Sequence, residues 1–206
     1  YVMENILFKI SFPAEFHAQT AVEAAVILHN EIKNRFEDIE KIVITTHESA
    51  IRIISKQGKL NNPADRDHCI QYMTAIGLLK GDLIAEDYED DVASDPKIDA
   101  LRDKMVIEED ERYSKEYLES DKRSIANAIV IYFKDGSSTE RVEVEYPIGH
   151  RRRREQGIPL LVKKFERNLK TQFSEKRSQS ILDLCDDQEL LESTSVTDFM
   201  ELMIAE

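Results

Sequence analysis

Ala128-Ile-Val-Ile-Tyr-Phe133, then Asp135-Gly136, then Glu140-Arg-Val-Glu-Val-Glu-Tyr146 is the stretch whose reading decides the fold. The first run is rich in β-branched and aromatic residues, the Asp-Gly pair suits a tight turn, and the second run alternates in strict period two. Together they predict a β-hairpin whose second strand turns one side to water. Working outward, residues 39–54 open with Ile39, Lys41, Val43 and Thr45 set against Glu40, Ile42, Ile44 and Thr46, which predicts a strand ending near His47. Residues 105–107 read as a further strand. Around these lie helical patterns. Over residues 18–36, Ala21, Ala24, Ala25, Leu28 and Ile32 recur at steps of three and four, as on one face of a helix.

The turn residues of Gly58-Lys-Leu-Asn-Asn-Pro63 are followed by a helical pattern over 64–79, with Cys69, Tyr72, Met73 and Ile76 on one side and Asp65 where the first turn favours an anion. Short helices are expected at 85–92 and 96–104, the second opened by Asp95 as cap and Pro96 at the first position. The acidic stretch 108–121 reads as a surface loop or short helix. Residues 147–157 form a loop with a basic run, and 159–173 an amphipathic helix with Leu161, Val162, Phe165 and Leu169 inward. Helices over 175–183 and 196–204 follow. Strands that pair as hairpins, with no βαβ alternation, argue an α+β class: an antiparallel sheet with a hairpin, packed by several helices. No linker rich in Pro, Gly or Ser divides the chain, so one domain is expected over residues 1–206. The apolar run Tyr1-Val-Met-Glu-Asn-Ile-Leu-Phe8 reads as an extended piece already inside a fold, ended by Pro13.

Composition excludes several functions. With 28 basic and 41 acidic residues the net charge is -13, which repels phosphate backbones and anionic head groups over most of the surface. Nucleic acid and membrane are therefore not expected as partners. No apolar run approaches the roughly 20 residues of a membrane span, and the reading is of a cytoplasmic protein, mitochondrial if eukaryotic. Cys69 and Cys185 lie too far apart for the close pairs of cysteine-ligated zinc, and a cubane cluster takes three or four thiolates, so neither a cysteine-ligated metal nor a cluster cofactor held by this chain alone is expected.

Five groups of residues could carry chemistry or binding. Lys9 sits in the apolar segment Phe8-Lys-Ile-Ser-Phe-Pro13, where desolvation would make its charge valuable to a polycarboxylate or lower its pKa; the plainer reading is an edge lysine reaching solvent. His17 and Gln19 stand at the start of the first long helix, where free amides attract carboxylates, although a cap or core histidine would look the same. Asn61-Asn-Pro-Ala-Asp-Arg-Asp-His68 offers Arg66 for a bidentate grip on a carboxylate, with His68 beside it, against simple capping and a local ion pair. His47-Glu48 could orient a base. Arg151 to Arg154 form the basic patch; they could grip an acidic partner in a noncatalytic interaction module, or be solvated or paired with acids.

Longer strings carry a resemblance. Phe8-Lys-Ile-Ser-Phe-Pro-Ala-Glu-Phe-His-Ala-Gln-Thr20, Asn61 to His68, Tyr88-Glu-Asp90, Lys122-Arg-Ser-Ile-Ala-Asn127 and Glu145-Tyr-Pro-Ile-Gly-His150 resemble the bacterial and fungal 2-methylcitrate dehydratases of the MmgE/PrpD family, in order and over nearly the whole chain. The resemblance implies an enzyme of two domains, with this chain as the smaller α+β lid and a mostly helical N-terminal domain absent from it. It implies dehydration of 2-methylcitrate to 2-methyl-cis-aconitate in propionate breakdown, with citrate as a second possible substrate, no metal or cluster, and a homodimer at full length. Relatives such as cis-aconitate decarboxylase carry a lid lysine just before an aromatic-proline pair and a histidine six residues after that proline. Here Lys9 stands one residue further from Phe12-Pro13, Gln19 holds the six-residue position, and His17 falls two earlier. The resemblance thus points to Lys9 and His17 as catalytic residues and to Gln19, Arg66 and His68 as substrate-binding ones.

Overall fold

A computed structural model describes residues 8–204; the extended piece read at the start of the chain lies, over residues 1–7, outside them. After a 3-10 turn at Phe16–Ala18, helix α1 spans Gln19–Ile32, and strand β1, Ile39–Thr46, follows a second 3-10 turn at Phe36–Asp38. The strand stops where predicted because His47 caps helix α2, Glu48–Ile54, its ring nitrogen accepting the Ala50 N–H at 3.4 Å. Helix α3, Pro63–Asp67, starts on Asn62, whose side chain accepts from the Asp65 amide at 2.9 Å. The single helix expected over 64–79 is broken: Cys69 is extended at φ -127, and α4, Ile70–Lys80, starts after it. Gly81 then stops α4 in the left-handed region at φ 72, and the His29 ring donates to the Leu78 carbonyl at 2.8 Å.

Helix α5 spans Asp90–Ala93 and α6 Pro96–Arg102, the latter capped by Asp95 with Pro96 in the first turn. Strand β2, Met105–Glu109, leads into α7, Glu111–Leu118, so the acidic stretch holds a real helix, capped by Asp110. Strands β3, Asn127–Phe133, and β4, Val142–Val144, form the hairpin, with Gly136 at φ 83 in its turn. Its ladder changes register near Thr139, whose hydroxyl accepts the Ile131 N–H at 3.1 Å.

Among the described residues the sheet has four strands in the order β2-β1-β3-β4. The β1/β3 and β3/β4 pairs are antiparallel, as an α+β hairpin fold requires, but β1 and β2 are parallel. The sheet is thus mostly antiparallel, as expected; the parallel pair arises because the helices between β1 and β2 make a crossover that the sequence pattern did not reveal. Register sets the faces. Ile42 opposite Ile131 and Ile44 opposite Ile129 are fully buried, and α1 packs over β3 and β4. On the opposite face Lys41 lies over the ring of Tyr132, itself 40% exposed, so one face is core and the other is partly wet.

Helix α1 can approach both the sheet and α4 because Ala21, Ala24 and Ala25 are small and fully buried. At its crossing with α4, a Cβ on Gly77 would stand 2.9 Å from the Ala25 Cβ.

Contacts divide the chain into two compact units, residues 1–153 and 154–206, where the lack of a linker had predicted one. No linker is needed, because the 3-10 turn Arg151–Arg153 runs straight into helix α8, Arg154–Leu169. The second unit continues with α9, Glu175–Asp186, α10, Gln188–Ser193, and α11, Val196–Leu202. Helix α8 starts before Pro159, which lies inside it and cannot donate to the Glu155 carbonyl. Leu169 is buried as expected; Val162, expected inward, is exposed.

The close crossing of α1 and α4 should not tolerate a branched side chain. Gly77→Val is expected to cost about 1–3 kcal/mol in urea denaturation through overpacking; an unchanged midpoint would mean that the two helices are not in firm contact.

Candidate functional site: a histidine-tyrosine cluster

Three elements bring titratable rings together: the turn before α1 supplies Glu15 and His17, the end of β1 supplies His47, and α7 supplies Tyr117. Glu15 caps its own turn, accepting the His17 amide at 2.8 Å, and its two oxygens stand 2.9 and 3.0 Å from His17 Nδ1. On the other side of the ring, His17 Nε2 is 3.2 Å from the Tyr117 hydroxyl. His47 stacks on Tyr117 with centroids 4.7 Å apart and planes at 13°, and lies 5.2 Å from the His17 ring. A buried polar node holds the cluster in place. Asn127 Nδ2 donates to the His17 carbonyl at 2.8 Å and to the Thr20 hydroxyl at 2.7 Å, while Thr20 donates to the Ile125 carbonyl at 2.5 Å.

Electrostatics sort these groups. Burial pushes the Glu15 carboxyl up, but the hydrogen bonds and charge of His17, with a smaller pull from His68, bring it below its ordinary value, so it is a carboxylate at neutral pH. Burial, then the charge of His17, pushes His47 down to about 4, against a smaller opposing pull from Glu15. His47 is fully buried and neutral. His47 Nε2 and Asn127 Oδ1 are buried without a hydrogen-bond partner in the described structure, an arrangement that native proteins seldom keep without a reason.

The cluster can be set beside known proteins. Residues 12–188 match the family model of the MmgE/PrpD C-terminal domain. The chain belongs to the MmgE/PrpD family. Its relatives include the 2-methylcitrate dehydratase of Salmonella typhimurium, 55% identical over 99% of this chain and 43% of that protein. That of Escherichia coli is 56% identical over the same shares. The mitochondrial 2-methylcitrate dehydratase of Yarrowia lipolytica is 59% identical over 88% of this chain and 36% of the relative. The chain therefore spans less than half the length of these MmgE/PrpD relatives.

The strings that carry the family resemblance, far apart in sequence, touch one another in the fold. Asn127 holds His17, the Ile125 amide donates to Glu145 at 3.1 Å, and the Phe8 amide donates to Gly149 at 3.3 Å. Gly149 admits no larger residue, since its Cβ would stand 1.7 Å from the Phe8 oxygen. Tyr88 donates to the Pro13 carbonyl at 3.0 Å and accepts from Arg66 at 2.5 Å.

The expected site residues fare differently. His17 lies at the centre of the cluster. Lys9 is exposed, its ammonium 5.2 Å from the Phe16 ring centroid, so the desolvation expected of its segment does not reach the charge. Gln19 is buried and uses its amide hydrogens on the Phe12 and Ala14 carbonyls, at 2.9 and 2.8 Å, which ties the loop to α1. Arg66 is also buried, and the carboxylate it grips, at 2.6 Å, is Asp90. It borders a groove of about 360 Å³ in which Arg102 is likewise paired with Asp99. His68 is exposed and pairs with Asp67 at 2.5 Å, close enough to act on Glu15. Glu48 does not orient His47: it pairs with Arg52. In the basic run, Arg153 makes a two-pronged bridge to Glu23 at 2.8 and 2.9 Å, and Arg152 donates to the Asp121 carbonyl and lies over Tyr146. These bonds hold Arg152 and Arg153 against the first unit and weigh against a patch reserved for an acidic partner. Among the described residues no three His, Cys, Asp or Glu side chains stand close enough to hold a metal ion.

Sequence reasoning missed Tyr117. The signal available was Tyr113 and Tyr117 at a spacing of four on a short helix, of which Tyr113 is fully buried.

Because His47 resists protonation in the fold but not in the unfolded chain, the unfolded state takes up an extra proton as pH falls below 6.5, and stability declines until about pH 4. Between pH 7 and 5 this amounts to about 2 kcal/mol, while Glu15, lowered from 4.5, acts in the same direction only at lower pH. His47→Asn keeps an acceptor for the Ala50 amide and is expected to flatten that stretch of a stability-against-pH curve; an unaltered slope would mean that His47 titrates normally.

Proposed function

We propose that the full-length protein dehydrates 2-methylcitrate to 2-methyl-cis-aconitate, and that residues 1–206 form the lid over a cleft whose other wall is a helical N-terminal domain. The observation that carries this reading is the identity of 55–59% to relatives named for that reaction, together with a cluster in which Glu15 and His17, from one of the shared strings, meet His47 and Tyr117. Loss of water needs a base for the carbon-bound proton, an acid for the departing hydroxyl and cations for the carboxylates. His17 handles a proton, with Glu15 behind it. On this reading Lys9, exposed beside Phe16, would meet a substrate carboxylate, and His68 would add a second positive group when protonated. The guanidinium of Arg66 already holds an acid, so its part is to fix the loop that Tyr88 shares with Pro13. Gln19 serves the same loop.

On this reading citrate is a slower second substrate and the reaction runs without an iron-sulfur cluster, to which the two free cysteines of this chain could not supply the usual ligand set. The enzyme would act as a homodimer, in the cytoplasm of a bacterium or in mitochondria. Residues 1–206 alone would not turn over, since half the cleft is missing and misplacement by about 1 Å costs roughly a hundredfold.

The test is the ultraviolet absorbance of the conjugated unsaturated acid formed when 2-methylcitrate is added to the full-length protein. His17→Gln is expected to lower kcat by about 10²–10⁴, and Lys9→Ala to raise KM by roughly tenfold or more through a lost charge-assisted bond. An unaltered kcat in His17→Gln, or an unaltered KM in Lys9→Ala, would remove that residue from the site; a wild-type protein without turnover would reject the substrate.

A further inference from the structure

The hydrogen-bond pattern around His17 leaves one group facing any ligand. Glu15 is ionised and can only accept, and both its oxygens contact Nδ1, which therefore carries a proton; in the neutral imidazole Nε2 presents a lone pair. In that tautomer the Tyr117 hydroxyl, 3.2 Å away, is the donor to Nε2. Nε2 is thereby occupied, and a ligand proton reaches it by way of the Tyr117 oxygen, whose own lone pairs remain available. Tyr117 is half-buried, so its hydroxyl is neither sealed in the core nor loose in solvent. The near-parallel stack on His47 fixes the plane of the phenol, and His47 is itself held by its bond to the Ala50 amide. Carboxylate, imidazole and hydroxyl in series form the arrangement that activates a hydroxyl by passing its proton to a base oriented by an acid.

We propose that Tyr117 is the catalytic base of the dehydration, with His17 and Glu15 as the positioning pair behind it. This rests on the dehydratase reading above. In the step, the C–H bond of the substrate breaks and its proton goes to the Tyr117 oxygen as the phenolic proton moves to His17 Nε2. The electron pair left on carbon forms the double bond as the neighbouring C–O bond breaks. The hydroxyl leaves as water with a proton from a general acid on the opposite wall of the cleft. The imidazolium, stabilised by Glu15, then returns a proton through water to that acid.

The experiment uses the full-length protein as wild type, Tyr117→Phe and Glu15→Gln, with 2-methylcitrate either unlabelled or deuterated at the carbon that loses its proton. Tyr117→Phe keeps the ring that stacks on His47 and removes only the hydroxyl. It is expected to lower kcat by about 10²–10⁴, to leave KM within about threefold, and to enlarge the deuterium isotope effect on kcat as proton removal becomes the slow step. Glu15→Gln is expected to lower kcat by about a hundredfold, also with little change in KM. A wild type that turns over beside a Tyr117→Phe variant of unaltered kcat overturns the proposal and leaves the dehydratase reading standing. A fall in kcat with an unchanged isotope effect also overturns it, since that is what a packing role for Tyr117 would give. A wild type that does not convert 2-methylcitrate rejects the dehydratase reading, and the proposal with it.

Discussion

The side chain of Asn127 spans the join between the sheet and the first helix, and the position of His17 in the cluster follows from it. Thr20 gives its hydroxyl proton to the Ile125 carbonyl, so its oxygen can only accept; Asn127 therefore turns its amide nitrogen toward Thr20 and the His17 carbonyl, both within 2.8 Å. In a fully buried setting such bonds are strong, and an alternative rotamer would leave several groups unpaired at once. The start of α1 is thus locked to the start of β3. His17, on the last turn before α1, takes its place relative to Tyr117 from that lock. The unpartnered Asn127 Oδ1 is the remainder of the arrangement: with both hydrogens committed on one side, the oxygen has no neighbour on the other.

The chemistry of charge limits what this chain contributes. A net charge of -13 opposes a tricarboxylate over most of the surface. Several of the cations best placed by burial are already bound: Arg66 to Asp90, Arg102 to Asp99, Arg153 to Glu23. Such pairs set loops and fix helices, and their fields largely cancel at the distance of a ligand. On the proposed reading most of the positive charge for the substrate must come from the other wall of the cleft, and this chain supplies proton handling and closure.

The sequence was legible wherever structure is set locally. The Asp-Gly turn and the alternation on either side of it placed the hairpin, the alanine-rich period placed α1, and Asp95-Pro96 placed α6. What it hid depends on distant partners. Residues 105–109 look the same whether paired parallel or antiparallel, since period two reports a face and not a direction. Gln19 and Arg66 were read as substrate-binding groups, and a sequence does not say that their polar atoms meet the Phe12 and Ala14 carbonyls and Asp90. Tyr117 was hidden for the opposite reason. It sits in an acidic stretch with nothing unusual about it, and acquires meaning only when α7 lays it against His17 and His47 from elements far away in the chain.

The protonation states of the cluster also bear on which direction of proton flow it favours. At neutral pH Glu15 is charged and His47 is neutral, so the part-buried carboxylate is the group beside His17 that can pair with a proton taken up there. When a proton arrives at His17 the imidazolium pairs with Glu15 across about 3 Å, and the partly buried surroundings make that pairing worth more than it would be in water. A protonated His47 beside it would spoil the gain by repulsion, and its burial prevents that. On the proposed reading the imidazolium left by proton uptake at His17 therefore has a carboxylate beside it, as a base relay requires.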